Sequence, residues 1–403
     1  MKVLLNDYGG YAFAVDLSAA LTRRGHRVTH VYTSASGSPQ GDLIDVPMLT
    51  FIDIPIGTNR KADLRRRRQA ERRYGRRVAR VIGAQRPQAV IAANTPLDAL
   101  RPIFRACRRR HIPFVLWWQD ILSLAIESIL AQRFGAPGRW LGRWYRRFEK
   151  QVLRRADAVI AVSPDFIETA ASWGVPTQRM TVIPNWAPID KLPVLPKDNA
   201  FSRRYGLLDT LVVLYAGTLG MKQNPQTIAD AAKYLADEKV CFLVISDGVG
   251  MPLLQREKAL HRLHNLLLLP LQPFEWLPQI LAAGDLHLVM LTSDAGRYCV
   301  PSKVWASFCA ARPVLLSVPP ENYAAKVTEE IQAGVVLPVG DSLKMAETIR
   351  KLAGDLDARR RCGENGRRYA EAHFDIDAIA ARFDVVLRNA AEVKHLKKGG
   401  HAA

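Results

Sequence analysis

The sequence has little cysteine, no long hydrophobic run and few acidic residues for its size. Its five cysteines are scattered among 403 residues, with no pair at the spacing of a metal or redox motif. This pattern predicts a reduced protein without a disulfide framework. No uncharged apolar stretch approaches the roughly 18–20 residues that span a bilayer, and the apolar run after Met1 is too short for a signal peptide. We therefore expect a cytoplasmic protein.

The shortage of acidic residues is confined to the first half of the chain. Residues 1–190 hold 30 Lys and Arg against 15 Asp and Glu, whereas the remaining residues hold 27 against 23. The net charge of +19 therefore lies mostly in the first half. This asymmetry predicts an anionic partner for that half.

Short apolar runs alternate with helical patterns along the chain, which is typical of βαβ units and parallel sheets. The length suits two α/β domains, and we predict six strands in each half. Four prolines between residues 183 and 196 exclude helix and sheet there, so we interpret the segment as an extended linker. The predicted parts are a first Rossmann-like domain (1–186), the linker (187–200), a second Rossmann-like domain (201–375), and a C-terminal helix and tail (376–403).

Two such domains are expected to face each other across a cleft, with the C-terminal helix packing back toward the first domain. Ligands of open α/β sheets bind at the carboxyl ends of the strands. The functional residues are therefore expected in loops that follow strands.

Three loops after predicted strands are rich in glycine. Gly9 and Gly10 follow the first strand, and the segment from Gly217 to Lys222 follows the strand over residues 211–216. Glycine lets the backbone approach a ligand, and the helix that follows offers unpaired N–H groups to an anion. A plain βα loop with a solvated lysine is the alternative. The third loop, at residues 248–250, falls short of a full dinucleotide fingerprint.

Two further segments carry candidate chemistry. Pro301 and Ser302 begin a predicted helix, and Lys303 adds a positive charge beside its N-terminus. Asp120 follows an apolar strand that ends in two tryptophans. A carboxylate there can orient or deprotonate an acceptor hydroxyl, and the alternative is an N-cap for the following helix.

Taken in order, these motifs resemble the family 4 glycosyltransferases of the GT-B fold. The match is closest to the bacterial surface-polysaccharide branch, which is similar to fucosaminyltransferase and colanic-acid-type enzymes, and it covers essentially the whole chain. The resemblance implies retaining transfer of a sugar from a nucleotide-sugar, taken as UDP-linked, to a polyprenyl-diphosphate-linked saccharide. It also implies that the departing phosphate helps to deprotonate the acceptor. Besides the loops above, the matching segments are 116–120, 159–163, 182–186 and 333–341.

The resemblance also assigns residue roles. Asp120 and Lys222 are the expected catalytic residues, and Gly9, Gly10 and Asp120 lie on the acceptor side. The expected donor-binding residues are Asn185, Gly217, Thr218, Lys222, Gly248, Gly250, Tyr298, Val300, Pro301, Ser302 and Lys303.

The sequence departs from the family pattern at four of its positions. Two glutamates that contact the donor in many members fall here on Tyr298 and Ala306. Thr218 replaces the usual arginine of the diphosphate loop, and Ala311 replaces a customary glycine. We expect a less common donor, such as a deoxy or N-acetylated sugar with fewer hydroxyls to bind.

We predict no metal and no bound cofactor. The pairs Asp355/Asp357 and Asp375/Asp377 have Asp-x-Asp spacing, but they lie in the C-terminal helical region, where aspartates commonly cap helix starts. Helix N-termini and lysines can stabilise a departing diphosphate without a metal.

Two basic segments, residues 65–86 and 139–155, account for much of the charge of the first half. The second interleaves arginines with aromatic residues at helical spacing, a pattern that suits the headgroup region of an anionic bilayer. We therefore expect a peripheral association with the inner face of the plasma membrane. One alternative to membrane association is a solvated basic face with aromatic residues in the core. Another is a nucleic-acid-binding protein, although no recognition motif is found. The alternative to a transferase is an epimerase or hydrolase on the same fold.

Overall fold

A computed structural model describes residues 1–34, 46–56, 64–220 and 222–399. The chain divides into two compact units. The first unit contains Met1–Pro184 together with Ile376–Ala403, and the second contains Asn185–Asp375. In the described ranges, no helix is both long and apolar enough to cross a membrane.

The first unit is built on a seven-stranded parallel sheet in the order β3-β2-β1-β4-β5-β6-β7. Strands β4, β5 and β6 of this sheet are apolar and buried along their whole length, which is typical of a parallel sheet with helices on both faces. The strands are β1 (Lys2–Asp7), β2 (Arg27–Tyr32), β3 (Leu49–Asp53), β4 (Ala89–Ala93), β5 (Phe114–Trp118), β6 (Ala158–Ala161) and β7 (Met180–Val182). The helices are α1 (Ala12–Arg23), α2 (Leu64–Gln85), α3 (Leu97–Arg109), α4 (Leu122–Arg155) and α5 (Pro164–Ser172).

The second unit has a six-stranded parallel sheet in the order β10-β9-β8-β11-β12-β13. The strands are β8 (Leu211–Ala216), β9 (Val240–Ile245), β10 (Leu266–Leu269), β11 (Leu286–Met290), β12 (Val314–Ser317) and β13 (Gly334–Leu337). The helices are α6 (Ala200–Arg204), α7 (Pro225–Tyr234), α8 (Met251–His261), α9 (Leu277–Ala283), α10 (Lys303–Cys309), α11 (Tyr323–Glu330), α12 (Ser342–Ala353) and α13 (Leu356–His373). Short 3₁₀ turns cover Ile189–Lys191, Phe274–Trp276 and Ala295–Arg297.

Both sheets reverse their direction of growth at one place, between β1 and β4 in the first unit and between β8 and β11 in the second. In the first sheet, Asp7 at the end of β1 lies beside Ala93 at the end of β4. Ligands of doubly wound sheets bind at such switch points, outside the carboxyl ends of the strands. The loops that follow these four strands are therefore where ligand binding is expected.

The last helix, α14 (Ile376–Gly399), packs on the first unit, as the sequence predicts. The rings of Trp117 and Phe383 meet edge to face, with centroids 4.8 Å apart. His26 Nε2 lies 2.9 Å from a carboxylate oxygen of Asp384, and Arg388 contacts the same carboxylate. A helix remote in sequence thus completes the core of the first unit. Residues 400–403, predicted as a tail, lie outside the described residues.

The prediction of two Rossmann-like folds is confirmed, with one strand missed. Among the described residues, the short strand β3 pairs with β2 alone, and it is partly exposed, so its sequence lacks a clear alternation. The proline-rich segment contains a 3₁₀ turn and lies on the second unit, where Arg312 donates to the carbonyl oxygen of Leu195 at 3.0 Å.

Candidate functional site

Gly217 begins the loop that follows β8 at the switch point of the second unit. Its φ of +108° is in the region that favours glycine, and its N–H donates to the carbonyl oxygen of Ile245 at 2.8 Å. A β-carbon at this position would lie only 2.9 Å from Cε of Lys303. Glycine therefore allows two segments that are far apart in sequence to come together, and the structure joins two of the predicted donor-binding residues.

The ammonium group of Lys303 is buried beside Gly217, whereas the residue taken as a whole is half-buried. Nζ lies 3.8 Å from the centroid of the Tyr215 ring and has no hydrogen-bond partner in the described ranges. Burial lowers the pKa of Lys303 to about 7. A buried cation without a hydrogen-bonding partner is costly, and an anionic ligand at this position would relieve that cost.

Lys222, at the far end of the same loop, lies beside Tyr298. Its Nζ is 5.4 Å from the centroid of the Tyr298 ring, and its carbonyl oxygen accepts a hydrogen bond from the N–H of Thr292 at 2.8 Å. Thr292 follows β11, so the loops from both strands of the switch point are joined here. The ring of Tyr298 thus occupies the place where the family pattern has a carboxylate, next to a lysine.

The predicted donor residue Thr218 continues the Gly217 loop, and its carbonyl oxygen accepts a hydrogen bond from the Tyr215 hydroxyl at 2.9 Å. Gly248 and Gly250 pack against the same loop. A β-carbon on Gly248 would lie 2.1 Å from the carbonyl oxygen of Leu219, and one on Gly250 would lie 2.8 Å from the Leu219 side chain. These two glycines therefore shape the β8 loop by allowing close packing.

The segment from Gly296 to Cys299, which leads to Lys303, is held in place by Asn322, a residue that the sequence did not indicate. The Asn322 side-chain amide donates to the carbonyl oxygens of Gly296 (2.8 Å) and Cys299 (2.9 Å). Its Oδ1 accepts from the N–H of Ala324 and caps α11. Only the capping role has a sequence signal, because asparagine before a helix is a common N-cap. Ser302, the N-cap residue of α10, is exposed beside the half-buried Val300 and Pro301.

Asn185, another predicted donor residue, is buried at the start of the second unit, and its Oδ1 finds no hydrogen-bond partner in the described part of the chain. A buried amide oxygen without a partner is unusual in a folded protein. The role of Asn185 in binding the donor stays a prediction.

The switch point of the first unit holds a buried carboxylate that the sequence did not single out. The oxygens of Asp7 accept hydrogen bonds from the N–H groups of Gly9 (3.3 Å) and Tyr11 (2.6 Å) and from the Asn94 side chain (3.0 Å). Burial raises the pKa of Asp7 to about 7, although these hydrogen bonds lower it. Asp7 thereby shapes the loop that carries Gly9 and Gly10, the predicted acceptor-side glycines.

Asp120 follows β5, one residue before the N-cap of α4, which is Ile121. The N–H of Ser123, in the first turn of α4, is bound by the buried carboxylate of Glu149 at 3.0 Å. The N-cap position thus belongs to Ile121, and the role of Asp120 toward an acceptor stays a prediction. Glu149 was not predicted, and burial raises its pKa.

The prediction that aspartates of the C-terminal region serve as caps is confirmed for Asp355. Its Oδ1 accepts a hydrogen bond from the N–H of Ala358 at 2.8 Å, at the start of α13. Across the described ranges, no group of three or more His, Cys, Asp or Glu side chains is placed to hold a metal ion. The absence of a metal from the reaction stays a prediction.

In the two basic segments, on α2 and α4, some of the side chains that were expected to face a membrane contact the protein instead. On α2, Arg68 and Arg72 both pair with Asp98, at 3.1 and 2.8 Å. On α4, Tyr145 and Phe148 are buried, contrary to the expectation that the aromatics of this segment face a bilayer. Helical spacing cannot distinguish an aromatic residue of the core from one of the surface.

Residues 9–186 match the family model of the glycosyl transferase 4-like domain. The chain is 31% identical over 160 residues to a putative colanic acid biosynthesis glycosyl transferase, WcaI, of Escherichia coli K12, a match that covers 39% of each protein. It is 26% identical over 272 residues to a D-inositol 3-phosphate glycosyltransferase of Xylanimonas cellulosilytica, which covers 62% of this chain and 61% of that protein. The chain thus spans less than two thirds of the length of these curated relatives.

The structure is also similar to a solved one, HepE of Anabaena in complex with UDP and glucose. The two superpose with a TM-score of 0.73 and 17% sequence identity, over 96% of this chain and 99% of the other. At this identity the likeness establishes the fold.

Proposed function

We propose that this chain, a member of the family 4 glycosyltransferases of the GT-B fold, transfers a sugar from a nucleotide-sugar to a saccharide acceptor in polysaccharide biosynthesis. The observation that carries the proposal is the buried ammonium group of Lys303, which lies against Gly217 and Tyr215 without a hydrogen-bonding partner in the described ranges. A diphosphate supplies the negative charge and the acceptor oxygens that this group lacks.

The donor is proposed to bind at the switch point of the second unit. Lys303 and Lys222 stabilise the charge that develops on the departing nucleoside diphosphate, and the backbone of Gly217 approaches the phosphates. The two lysines supply this positive charge, so the proposal includes no metal. The Anabaena protein was solved with UDP and glucose, which supports a UDP-linked donor.

The acceptor is proposed to bind at the switch point of the first unit, beside Gly9 and Gly10. Asp120 orients the attacking hydroxyl, while the departing phosphate takes up its proton. Because the donor oxygen that leaves also assists the attack on the same face, the anomeric configuration of the sugar is retained. Proton magnetic resonance of the first product formed would show the anomeric form of the donor.

The acceptor is proposed to be a saccharide linked to a polyprenyl diphosphate at the inner face of the plasma membrane. The relative from Escherichia coli is named for colanic acid biosynthesis, which supports a surface polysaccharide as the product. The excess of basic residues in the first half of the chain suits an anionic membrane surface.

A thermal-shift screen against UDP-, GDP-, dTDP- and ADP-linked sugars tests the donor site. We expect stabilisation by one nucleotide class and a smaller effect in Lys303→Met and Lys222→Met variants, since each removes a cation. An equal response to all the sugar nucleotides, or to none of them, would contradict a donor site.

A further inference from the structure

We propose that the tip of a helical hairpin in the first unit inserts its apolar side chains into the headgroup region of an anionic phospholipid bilayer. The hairpin tip is defined as residues 129–140. The inference rests on the proposed function, because it identifies the surface through which the enzyme reaches a lipid-linked acceptor.

Helix α4 is two helices rather than one. Gly135 interrupts it with φ 59° and ψ −130°, a conformation that favours glycine, and the contacts of Gly138 with Leu130 and of Gly142 with Glu127 show that the chain turns back here. Its two legs are residues 122–134 and 136–155. A chain reversal between these two helices makes a hairpin whose tip can project from the surface.

The two legs pack side by side with their backbones in contact. A β-carbon on Gly142 would lie 2.7 Å from Cα of Glu127, and one on Gly138 would lie 1.8 Å from the carbonyl oxygen of Leu130. Only glycine allows such an approach, so the sequence of the second leg is adapted to the first. The hairpin is therefore a defined element of the fold.

The base of the hairpin is fixed to the first unit. Glu149 accepts hydrogen bonds from the Trp118 indole N–H at 3.1 Å and from the N–H of Ser123 at 3.0 Å. The guanidinium of Arg101 lies over the Trp144 ring at 4.7 Å. By contrast, residues 132–137 at the tip are all exposed. An anchored base and an exposed tip are suited to an element that inserts into a lipid bilayer.

The tip presents large apolar side chains to solvent. Trp140 is 73% exposed, Phe134 is 50% exposed and Ile129 is 37% exposed. Trp140 is the single exposed tryptophan of the eight in the chain, all of which the structure describes. Exposed apolar groups clustered on one element mark an interaction surface. Tryptophan in particular favours the interface between water and lipid.

The positive charge around the tip indicates an anionic partner. Residues 129–148 contain five arginines and no acidic residue, although Arg146 pairs with Glu127 of the first leg at 3.5 Å. The Arg133 guanidinium lies 5.5 Å from the centroid of the Phe134 ring. Arginines next to inserted aromatic groups match the phosphates of anionic lipids. A nucleic-acid backbone would account for the arginines but would leave Ile129 and Phe134 unexplained.

Helix α2 has a different surface. It shows no exposed large hydrophobic side chain, although its outer face is rich in arginine. It can therefore add electrostatic attraction to a membrane surface, while the insertion is confined to the hairpin tip.

The test measures binding of the full chain to vesicles of equimolar phosphatidylglycerol and phosphatidylcholine. We expect the double variant Phe134→Ser/Trp140→Ser to bind at least about tenfold more weakly than the wild type, because it loses the two exposed aromatic groups that are proposed to insert into the bilayer. Leu260→Ser, which alters a 68% exposed leucine on α8 of the second unit, is the matched control and should bind like the wild type. Equal binding by the double variant would overturn the proposal.

Quenching of tryptophan fluorescence by brominated lipids gives a second readout. We expect quenching in the wild type that is largely lost in Trp140→Phe, since the other seven tryptophans are buried or half-buried. Quenching that persists in this variant would place another part of the protein in the bilayer. If duplex DNA displaced the protein from the brominated vesicles as effectively as added unlabelled anionic vesicles do, the partner of this surface would instead be a nucleic acid.

Failure of this inference differs from failure of the proposed function. In the double variant, we expect stabilisation by a nucleotide-sugar and transfer to a water-soluble acceptor to equal those of the wild type. A wild type that inserts Trp140 but transfers no sugar would contradict the function alone. A wild type that transfers sugar but binds vesicles without Trp140 quenching would contradict the hairpin tip alone.

Discussion

The ammonium nitrogen of Lys303 lies 3.8 Å from the centre of the Tyr215 ring and lacks a hydrogen-bond partner in the described ranges. This contact compensates only part of the cost of burying the ammonium group, because an aromatic face attracts a cation weakly and accepts no conventional hydrogen bond. The buried lysine therefore favours a ligand that restores full charge compensation.

The first prediction concerns the pH dependence of donor binding. Burial lowers the pKa of Lys303 to about 7, and a bound diphosphate favours the protonated form, so its pKa is higher in the complex. Binding therefore takes up a proton above pH 7, and donor affinity falls as the pH rises from about 7 to 8.5. Calorimetric titration with an intact nucleotide-sugar measures this.

Lys303→Met removes the cation while it keeps the apolar stem over Tyr215. We expect about tenfold to a hundredfold weaker donor binding at pH 7 and no fall in affinity between pH 7 and 8.5. Lys344→Met, on the exposed surface of α12, is the control and should keep both the affinity and the pH slope. A wild-type slope in Lys303→Met would assign the proton to another group.

The second prediction tests the close approach of Gly217 to Lys303. Alanine at position 217 is strained by the φ of +108°, and its β-carbon would displace the Lys303 side chain. We expect a loss of about 2–4 kcal/mol in the free energy of unfolding together with weaker donor binding. Gly206→Ala is the matched control, because Gly206 also has a positive φ but no atom within 4 Å of its added β-carbon.

For Gly206→Ala, we expect a smaller loss of about 1 kcal/mol and unchanged donor affinity. Chemical denaturation and calorimetric titration of the two variants measure these differences. Equal effects of the two substitutions on donor binding would show that the contact with Lys303 plays no part in the site.

The third prediction concerns Asn322, which binds the carbonyl oxygens of Gly296 and Cys299 and so holds the chain that leads to Lys303. Asn322→Ala leaves these buried groups and the cap of α11 without a partner. We expect a loss of about 2–4 kcal/mol in the free energy of unfolding and a severalfold increase in the dissociation constant of the donor.

Asp355→Ala removes an N-cap bond on α13, away from this segment, and serves as the reference for a lost cap. It should cost about 1 kcal/mol and leave donor binding as in the wild type. If Asn322→Ala lowers stability but binds donor normally, Asn322 supports the fold and not the site.

The fold was predictable from the sequence because its signals are local. The apolar run over Leu211–Ala216 coincides with β8, and the arginine-rich pattern of residues 65–86 forms a helix as predicted. The partly exposed edge strand β3 was missed because its alternation is weak. Local pattern therefore suffices where an element is fully buried and fails at the edge of a sheet.

The site was predictable only as a set of separate loops. Its central contact joins Gly217 to Lys303, which are 86 residues apart, so no local pattern indicates that they meet. The buried Asp7 gave no distinct signal either, because an aspartate at a strand end is usually solvated. On the surface, sequence spacing treated Trp140 and Tyr145 alike, whereas packing exposes the first and buries the second.

The fourth prediction concerns Asp120, proposed to orient the acceptor hydroxyl. Asp120→Asn should lower kcat by about a hundredfold or more, since a positioned carboxylate contributes on this order. Donor affinity should stay unchanged, because the donor is proposed to bind in the second unit. Steady-state kinetics beside a donor titration separate the two effects, and a changed donor affinity with normal kcat would remove Asp120 from the acceptor side.

The central claim, that this chain transfers a sugar from a nucleotide-sugar to an acceptor, is tested most directly by the release of nucleoside diphosphate. The wild type is incubated with the donor that stabilises it, with and without a polyprenyl-diphosphate-linked saccharide, and the released nucleoside diphosphate and the mass of the saccharide are both measured. We predict release that depends on the acceptor and matches the gain of one sugar by the lipid-linked saccharide, with little of either in Lys303→Met. Release at the same rate without acceptor, with no gain in saccharide mass, would indicate a hydrolase and contradict the account.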